Sequence, residues 1–575
     1  MKTTNQTHYR GFVFSIICSL VFFQSAIATT YYVSPEGQNG NLGTQESPFF
    51  LIQDAIDLCT SGNDTIFLEE GTYWQRPVFS EKSGIYLSSI NPLNKSTLSG
   101  SGVEELEIIY IENCDSISIA NLILREKFIQ DAKAIYALGE GDGLFIFDCE
   151  LFNIGWTDDF FANPEETNPF GQAHGILING RSEAGYRNVY VGRNELSFIN
   201  LGNSEGLTLT GNVFDFLIEQ NLIYNLTNIG IDIAGHYSWA FPPEGDQNLN
   251  QARSGRIRNN EIFNCRRINP GNEPAAIYVD GGKDVIIDNN TVYQNGTGIS
   301  AGCENPDFSA ENVTITHNLI LSNDKFGTVF GANAGVLENS VCRNNTYFNN
   351  GILLDNSGSI SLQKSNNSSI RNNIIYISSE DYFGLSMFGF LVNNLEIDHN
   401  LFYSPDGNTA RVFAYNPAAG SSETDEDPIF IDPLLQSIDL VDLNLHLTSS
   451  SPAIDAGSQN IALIPDERDM DGTLVSVSGI DIGAYSWDSP TLFNNFHSNP
   501  FSVYPNPCGE KLFISGKLLK GSEIVVTNLR GQVIFESLAA ELYTLVLQTE
   551  KLEKGLYFIQ VRSSESISNM PFVKL

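Results

Sequence analysis

The sequence predicts an all-β chain: a parallel β-helix of about ten or more coils with an N-terminal capping helix, followed by a small C-terminal β-sandwich. Three observations carry that expectation. A strand–turn–strand unit recurs with a base period of about 28 residues, within the range of solenoid architectures. The turn is centred on Asn in nearly every unit. The strands are short and β-branched, and no amphipathic run of the length a helical solenoid needs accompanies them.

The units begin with "SISIANLIL" and "GLFIFDCELF" and end with "NSSIRNNIIY" and "NLEIDHNLFY". Their turn residues are Asn121, Cys149, Asn194, Asn221, Asn260, Asn290, Asn318, Asn345, Asn373 and Asn400, separated by 28, 45, 27, 39, 30, 28, 27, 28 and 27 residues. Asn suits such a turn because it tolerates the left-handed region and its amide can bond to the Asn above and below. Ten coils at roughly 4.8 Å each make a rod of about 48 Å. The period also resolves a local ambiguity in "AIYVDGGKDVIIDNN". Alone, this reads as a β-hairpin, since Asp-Gly between alternating strands is a strong hairpin signal. The spacing runs unbroken on both sides, so the two strands are consecutive sides of one coil, turned at Gly281-Gly282.

Ahead of the coils, residues 1–28 read as a secretory signal: Lys2 and Arg10, the apolar "GFVFSIICSLVFF", and the small-x-small site Ala26-Ile27-Ala28. Cys18 lies inside the apolar core, which argues against a lipoprotein cysteine at the cleavage point. No other apolar run is long enough to span a bilayer, so a soluble, monomeric chain exported through the periplasm to the cell surface or beyond is expected. In "SPFFLIQDAIDLC", Phe50, Ile52, Ala55, Ile56 and Leu58 have helical spacing, and a helix there would plug the first coil.

The 575 residues exceed one ordinary compact core. A formal charge of -37 argues against a nucleic-acid partner, which needs a Lys/Arg footprint for its phosphates. Signal cleavage leaves Cys59, Cys114, Cys149, Cys265, Cys303, Cys342 and Cys508, an odd set without CxxC spacing. A zinc site is therefore poorly supported, and small buried residues with room for a disulfide or two are expected.

The opening "YYVSPEGQNGNLGTQESPF", the helix after it and the repeat array resemble the right-handed, pectate-lyase-like β-helix proteins over roughly residues 30 to 486. "SPAIDAGSQN" through "DMDGTLVSVSGIDIGAYSW" is similar to the closing segment of such bacterial proteins. Strands after residue 500 resemble the C-terminal sorting domain of type IX secretion cargo in Bacteroidetes, on Tyr504-Pro505-Asn506-Pro507 and Lys554-Gly555-Leu556-Tyr557. The expected division is a signal peptide at 1–28, a β-helix domain at 29–486, a linker at 487–500 and a sorting domain at 501–575, with the secretion machinery as partner. For activity the resemblance implies a broad class, polysaccharide cleavage. The Trp-Ile-Asp-His signature of pectate lyases and the grouped motifs of polygalacturonases are absent.

Candidate chemistry sits on a second shared strand: "GILING", "GIDIAG", "AIYVDG" and "GISAGC". Its second and fourth positions are apolar and face the core, so Asn179, Asp232, Tyr278, Asp280 and Ser300 face outward, with Glu304 just beyond. The two longer coils carry their excess beside this strand, in "GWTDDFFANPEETNPFGQAH" and "HYSWAFPPEGDQNLNQAR", with "RRINPGNEP" a smaller insertion. Long loops on a rigid scaffold commonly bind ligands. Trp156, Phe160, Phe161, His236, Tyr237 and Trp239 suit stacking on sugar rings, and Arg253, Arg266 and Arg267 suit carboxylates or sulfates. Two mechanisms use these residues. In a hydrolase, two carboxyls among Asp232, Asp280 and Glu304 act as acid and base or nucleophile. In a lyase, the same three hold Ca²⁺ against a uronate, and Lys283, Arg253 or His236 removes the proton. Each residue also has a plain reading: Asp280 as a turn former, Glu304 and Lys283 as solvated charges, His174 as structural. A non-catalytic glycan-binding or cell-surface β-helix is the alternative function.

Overall fold

The computed structural model describes residues 28–487 apart from 61–62, 269–272, 352–356, 378–382, 388–391, 406–412, 415–428, 440–441 and 477. Beyond these it describes 501–504, 511–516, 522–528, 533–538, 544–552, 555–562 and 567–574. The signal segment, nearly all of the linker, Pro505-Asn506-Pro507 and Lys554 lie outside the described residues.

Parallel strands stack into three sheets of 15, 12 and 12 strands among the described residues. The chain visits them cyclically: Lys283–Asp288 in the first, Thr291–Tyr293 in the second, Thr297–Gly302 in the third. The Asp-Gly-Gly corner is no hairpin. Ala275–Asp280 runs parallel to Ile231–Ala234 and Thr297–Gly302, while Lys283–Asp288 runs parallel to Arg253–Arg258. Gly281 has φ +77°, and a Cβ there would lie 3.0 Å from the His236 ring. The inward side chains Ile231, Ile233, Ile277, Val279, Ile299 and Ala301 are all buried. Each larger one contributes roughly 1.5–3 kcal/mol.

The Asn ladder lies at the corner between first and second sheets. Asn194, Asn221, Asn260, Asn290, Asn318, Asn345, Asn373 and Asn400 are buried; from Asn221 on, each carboxamide oxygen accepts from the backbone N–H and the amide of the Asn before it, at about 3 Å throughout the run, while that of Asn194 accepts from the Cys149 N–H. The expectation needs one refinement. The left-handed residue is the one before the ladder position: Gln220, Asn259, Asn289, His317, Asn344, Asn372 and His399 have φ of 52 to 57°. Asn121, itself at φ 53°, belongs to that preceding column, so the ladder starts later than the alignment implied. A second, shorter ladder, Asn295–Asn323–Asn350, marks the next corner and was not anticipated.

The capping helix is Ile52–Leu58, with Ile52, Ala55 and Ile56 buried. Phe50 and Leu58, expected to join them, are 40% and 51% exposed, because one short helix can bury only one face. At the far end, described residues between 458 and 481 reach back to the Asn-rich corner. Asn289 donates to the Asp469 carbonyl at 2.6 Å, Asn344 to Asp481 at 2.8 Å and Asn372 to Ser458 at 3.1 Å. Arg343, buried, clasps Glu467 through both guanidinium nitrogens, the longer contact at 2.6 Å. Cys59, Cys114, Cys149, Cys265, Cys303 and Cys342 are buried free thiols, so the room left for disulfides is unused among them; Cys508 lies outside the described residues.

The C-terminal part holds a three-stranded and a four-stranded antiparallel sheet. Leu512 and Ile514 of one pack with Ile524, Val526 and Ile559 of the other, the core of a small sandwich.

Candidate functional site

The outward face of the third sheet carries two columns of side chains. One runs Leu177, Thr208, Asp232, Tyr278, Ser300; the other passes Asn179 and Thr210, then Ala234, Asp280 and Gly302. Asp232 and Asp280 thus sit on adjacent rungs but two residues apart along the strand, in different columns. Ala234 and Gly302, small residues, flank Asp280 in its column.

An open acidic groove is not what the structure has. Asp232, Asp280 and Asn179 point to the outer side yet are only 5%, 2% and 1% exposed. The loop after Ala234 folds back over the rungs. Its Tyr237 hydroxyl makes a short bond to Asp280 Oδ2 and lies 3.4 Å from Glu304 Oε2. Asp280 Oδ1 accepts the Glu304 N–H at 2.7 Å. Asp232 Oδ1 is buried without a hydrogen-bond partner among the described residues. Glu304 itself is exposed.

A fourth acid completes the cluster. Glu205 Oε2 accepts from Thr208 at 3.1 Å, and Thr208 also meets His174 Nδ1 at 3.3 Å. Glu205 is not among the sequence candidates because "GLTLTG", with Thr208 and Thr210 at its outward positions, does not look like a member of the shared strand. Aligned with the others, it puts Glu205 just ahead of the rung before Asp232.

Burial and crowding of like charges set the electrostatics. Burial, then the Glu304 charge, pushes the Asp280 carboxyl up to about 7, against the bonds from Tyr237 and the Glu304 N–H. Burial, then Glu205, Asp280 and Glu304, raises Asp232 well above the usual carboxylate range. Burial raises Glu205 to about 7, though its side chain keeps 20% exposure. Burial, then the nearby acids, also raises the Tyr237 and Tyr278 hydroxyls. Burial and Lys133 depress His174 to about 3, so its imidazole is neutral.

The calcium set does not fit. Both Asp280 oxygens are taken by protein donors, and among the described residues no three His, Cys, Asp or Glu side chains are grouped to hold a metal ion. The basic residues proposed for a lyase are also elsewhere. Lys283 lies around the corner on the first sheet, paired with Glu311 at 2.7 Å, which raises its pKa and unfits it as a base. Arg253 donates to Asn212 at 2.8 Å and covers the Phe214 ring. Arg266 pairs with Asp324 at 2.8 Å and Arg267 with Glu165 at 3.3 Å. His236 stacks on Phe308, ring centroids 4.2 Å apart, and faces the Lys283 side rather than the acids. Trp156 is also reassigned: it packs on the core and donates to Asn200 at 3.1 Å. Trp239 is half exposed, its ring 6.1 Å from that of Tyr237, and so stays beside the acid cluster.

Two family models agree with this architecture. A family described as "Right handed beta helix region" matches residues 107–375 and 248–417, and a "Secretion system C-terminal sorting domain" matches 502–574. The uncharacterized protein YwoF of Bacillus subtilis strain 168 is 29% identical over 446 residues, 73% of this chain and 91% of that protein. Among solved structures, the GH136 lacto-N-biosidase of Eubacterium ramulus is 13% identical with a TM-score of 0.46, covering 70% of this chain and 67% of its own. Pectate lyase Pel9A is 16% identical with a TM-score of 0.34, covering 80% and 97%. No described helix is long and apolar enough to cross a membrane. The chain belongs to the right-handed β-helix family and carries a type IX secretion sorting domain, which marks it as an exported protein of the cell surface or the surrounding medium.

Proposed function

We propose that this protein is a carbohydrate-active enzyme, a glycoside hydrolase that uses Asp232 and Asp280 as its carboxyl pair. The observation that carries this reading is the pairing of two buried acids on adjacent rungs, both with raised pKa. Like charges in a dry site do not ionise together, so one carboxyl keeps its proton near neutral pH. The protonated acid gives that proton to the glycosidic oxygen as the bond to the anomeric carbon breaks. The ionised partner balances the developing positive charge and accepts a proton as water adds. Tyr237 and the Glu304 N–H hold Asp280 in place. A lyase acting on uronates needs a cation beside the acids, and Arg253, Lys283, Arg266 and Arg267 are all engaged elsewhere.

The test is incubation of the mature protein with a polysaccharide panel. New reducing ends, without the ultraviolet absorbance of unsaturated products, are expected. Unsaturated products would replace the hydrolase with a lyase. A second reading, binding without cleavage, draws on the engagement of both Asp280 oxygens by protein donors. Tight binding with no cleavage of any glycan would favour it.

A further inference from the structure

The loop that covers the acids has a second face. His236, next to Tyr237 in the chain, borders a depression of about 590 Å³ on the first-sheet side of the corner. Its other walls include Asn248, Gln251, Arg253, Lys283 and Phe308. Phe308 is 39% exposed and has one ring face closed by His236. The nearby charges are nearly balanced: Arg253 and Lys283 against Asp284, Asp307 and Glu311.

We propose that this depression is a second saccharide-binding site, distinct from the acid cluster and selective for an uncharged pyranose. Three features point to that ligand. An exposed aromatic surface, with a polar ring behind it, matches the C–H face of a sugar. Carboxamides, a guanidinium and carboxylates around it offer donors and acceptors together, as vicinal hydroxyls require. The mixed charge gives no net attraction for an anionic sugar. The site shares both of its loops with the acid cluster: His236 adjoins Tyr237, and Phe308 follows Glu304 on the same turn, with Asn305 bonded across to the His236 carbonyl at 3.4 Å. The two sites are therefore neighbours in the chain that open on different sides of the corner. The choice of a saccharide ligand rests on the proposed function, but the site does not require cleavage.

The test is affinity electrophoresis of the Asp280→Asn protein in gels holding cellulose derivatives, xylan, mannan or starch, followed by calorimetry with the matching hexasaccharide. Phe308→Ala is expected to weaken binding about tenfold, Phe308→Trp to retain it, and thermal unfolding to confirm that both variants fold. Added glucuronic acid oligomers are expected not to compete. Equal affinity of the Phe308→Ala variant and its parent, or no retardation in any gel, would overturn this site while leaving hydrolysis by the unsubstituted protein as a separate result. Phe308-dependent binding with no cleavage of any glycan by the unsubstituted protein would uphold the site and remove the hydrolase.

Discussion

A corner and a sheet face of the same coils bury polar side chains, and they do it in opposite ways. At the first-to-second sheet corner the buried groups are neutral amides, stacked at one spacing and bonded at every position from Asn194 to Asn400. On the third sheet they are the carboxyls of Asp232 and Asp280, two residues out of register and incompletely paired, with the partly exposed Glu205 beside them. A buried amide with all its bonds made is stabilising. Buried acids that repel one another are costly to fold, and such sites are where altered protonation becomes available for chemistry. Regularity therefore marks support in this fold, and its interruption marks the place where the proposed site lies.

The contrast can be broken experimentally. The largest effect is expected from Asp232→Asn or Asp280→Asn, each lowering the turnover of a cleaved glycan by on the order of 10³ while leaving the fold intact. Full activity in both would displace the site from these rungs. Next comes Asn290→Ala, in mid-ladder. It strands the Asn260 N–H and the Ile257 carbonyl, and a loss of about 2–3 kcal/mol in denaturant unfolding is expected. A change below 0.5 kcal/mol (roughly the scatter for surface substitutions) would deny the ladder its supporting role.

The third expectation concerns pH. A carboxyl whose pKa is higher in the folded chain contributes stability that is complete below its unfolded value and is lost as pH rises through its folded value. For Asp280 and Glu205 that window runs from the usual carboxylate range up to about 7. Stability should fall between about pH 4 and pH 7, by on the order of 1–3 kcal/mol, and the Asp280→Asn protein should show a flatter profile. An unchanged slope would mean that these acids ionise freely. Smallest of all, Lys283→Ala removes one exposed ion pair with Glu311, and a stability change under about 1 kcal/mol is expected.

The coils were legible in the sequence because a solenoid repeats its instructions, and the inward alternation of Ile231, Ile233, Ile277 and Val279 needs no tertiary context. The outward placement of Asp232 and Asp280 on the shared strand was legible for the same reason, with Glu304 just beyond it. What the pattern could not carry is which loop closes over them. Asp280 was expected in an open groove, and its burial depends on Tyr237 folding back from an insertion without repeat character. Glu205 was hidden because Thr208 and Thr210 made its strand look unlike its neighbours. Lys283 went wrong through a corner: three residues after Asp280, it already belongs to another sheet.

The clasp between Arg343 and Glu467 joins residues 124 positions apart. A stack of coils ordinarily melts like a one-dimensional array, its last repeat peeling away while the rest persists. Here the returning segment also holds Asn289, Asn344 and Asn372, which lie on three different coils. None of those coils can leave without releasing its hold on the strap. The C-terminal end of the rod should therefore unfold as one block rather than coil by coil, which denies an extracellular protease the frayed end from which a solenoid is most easily digested.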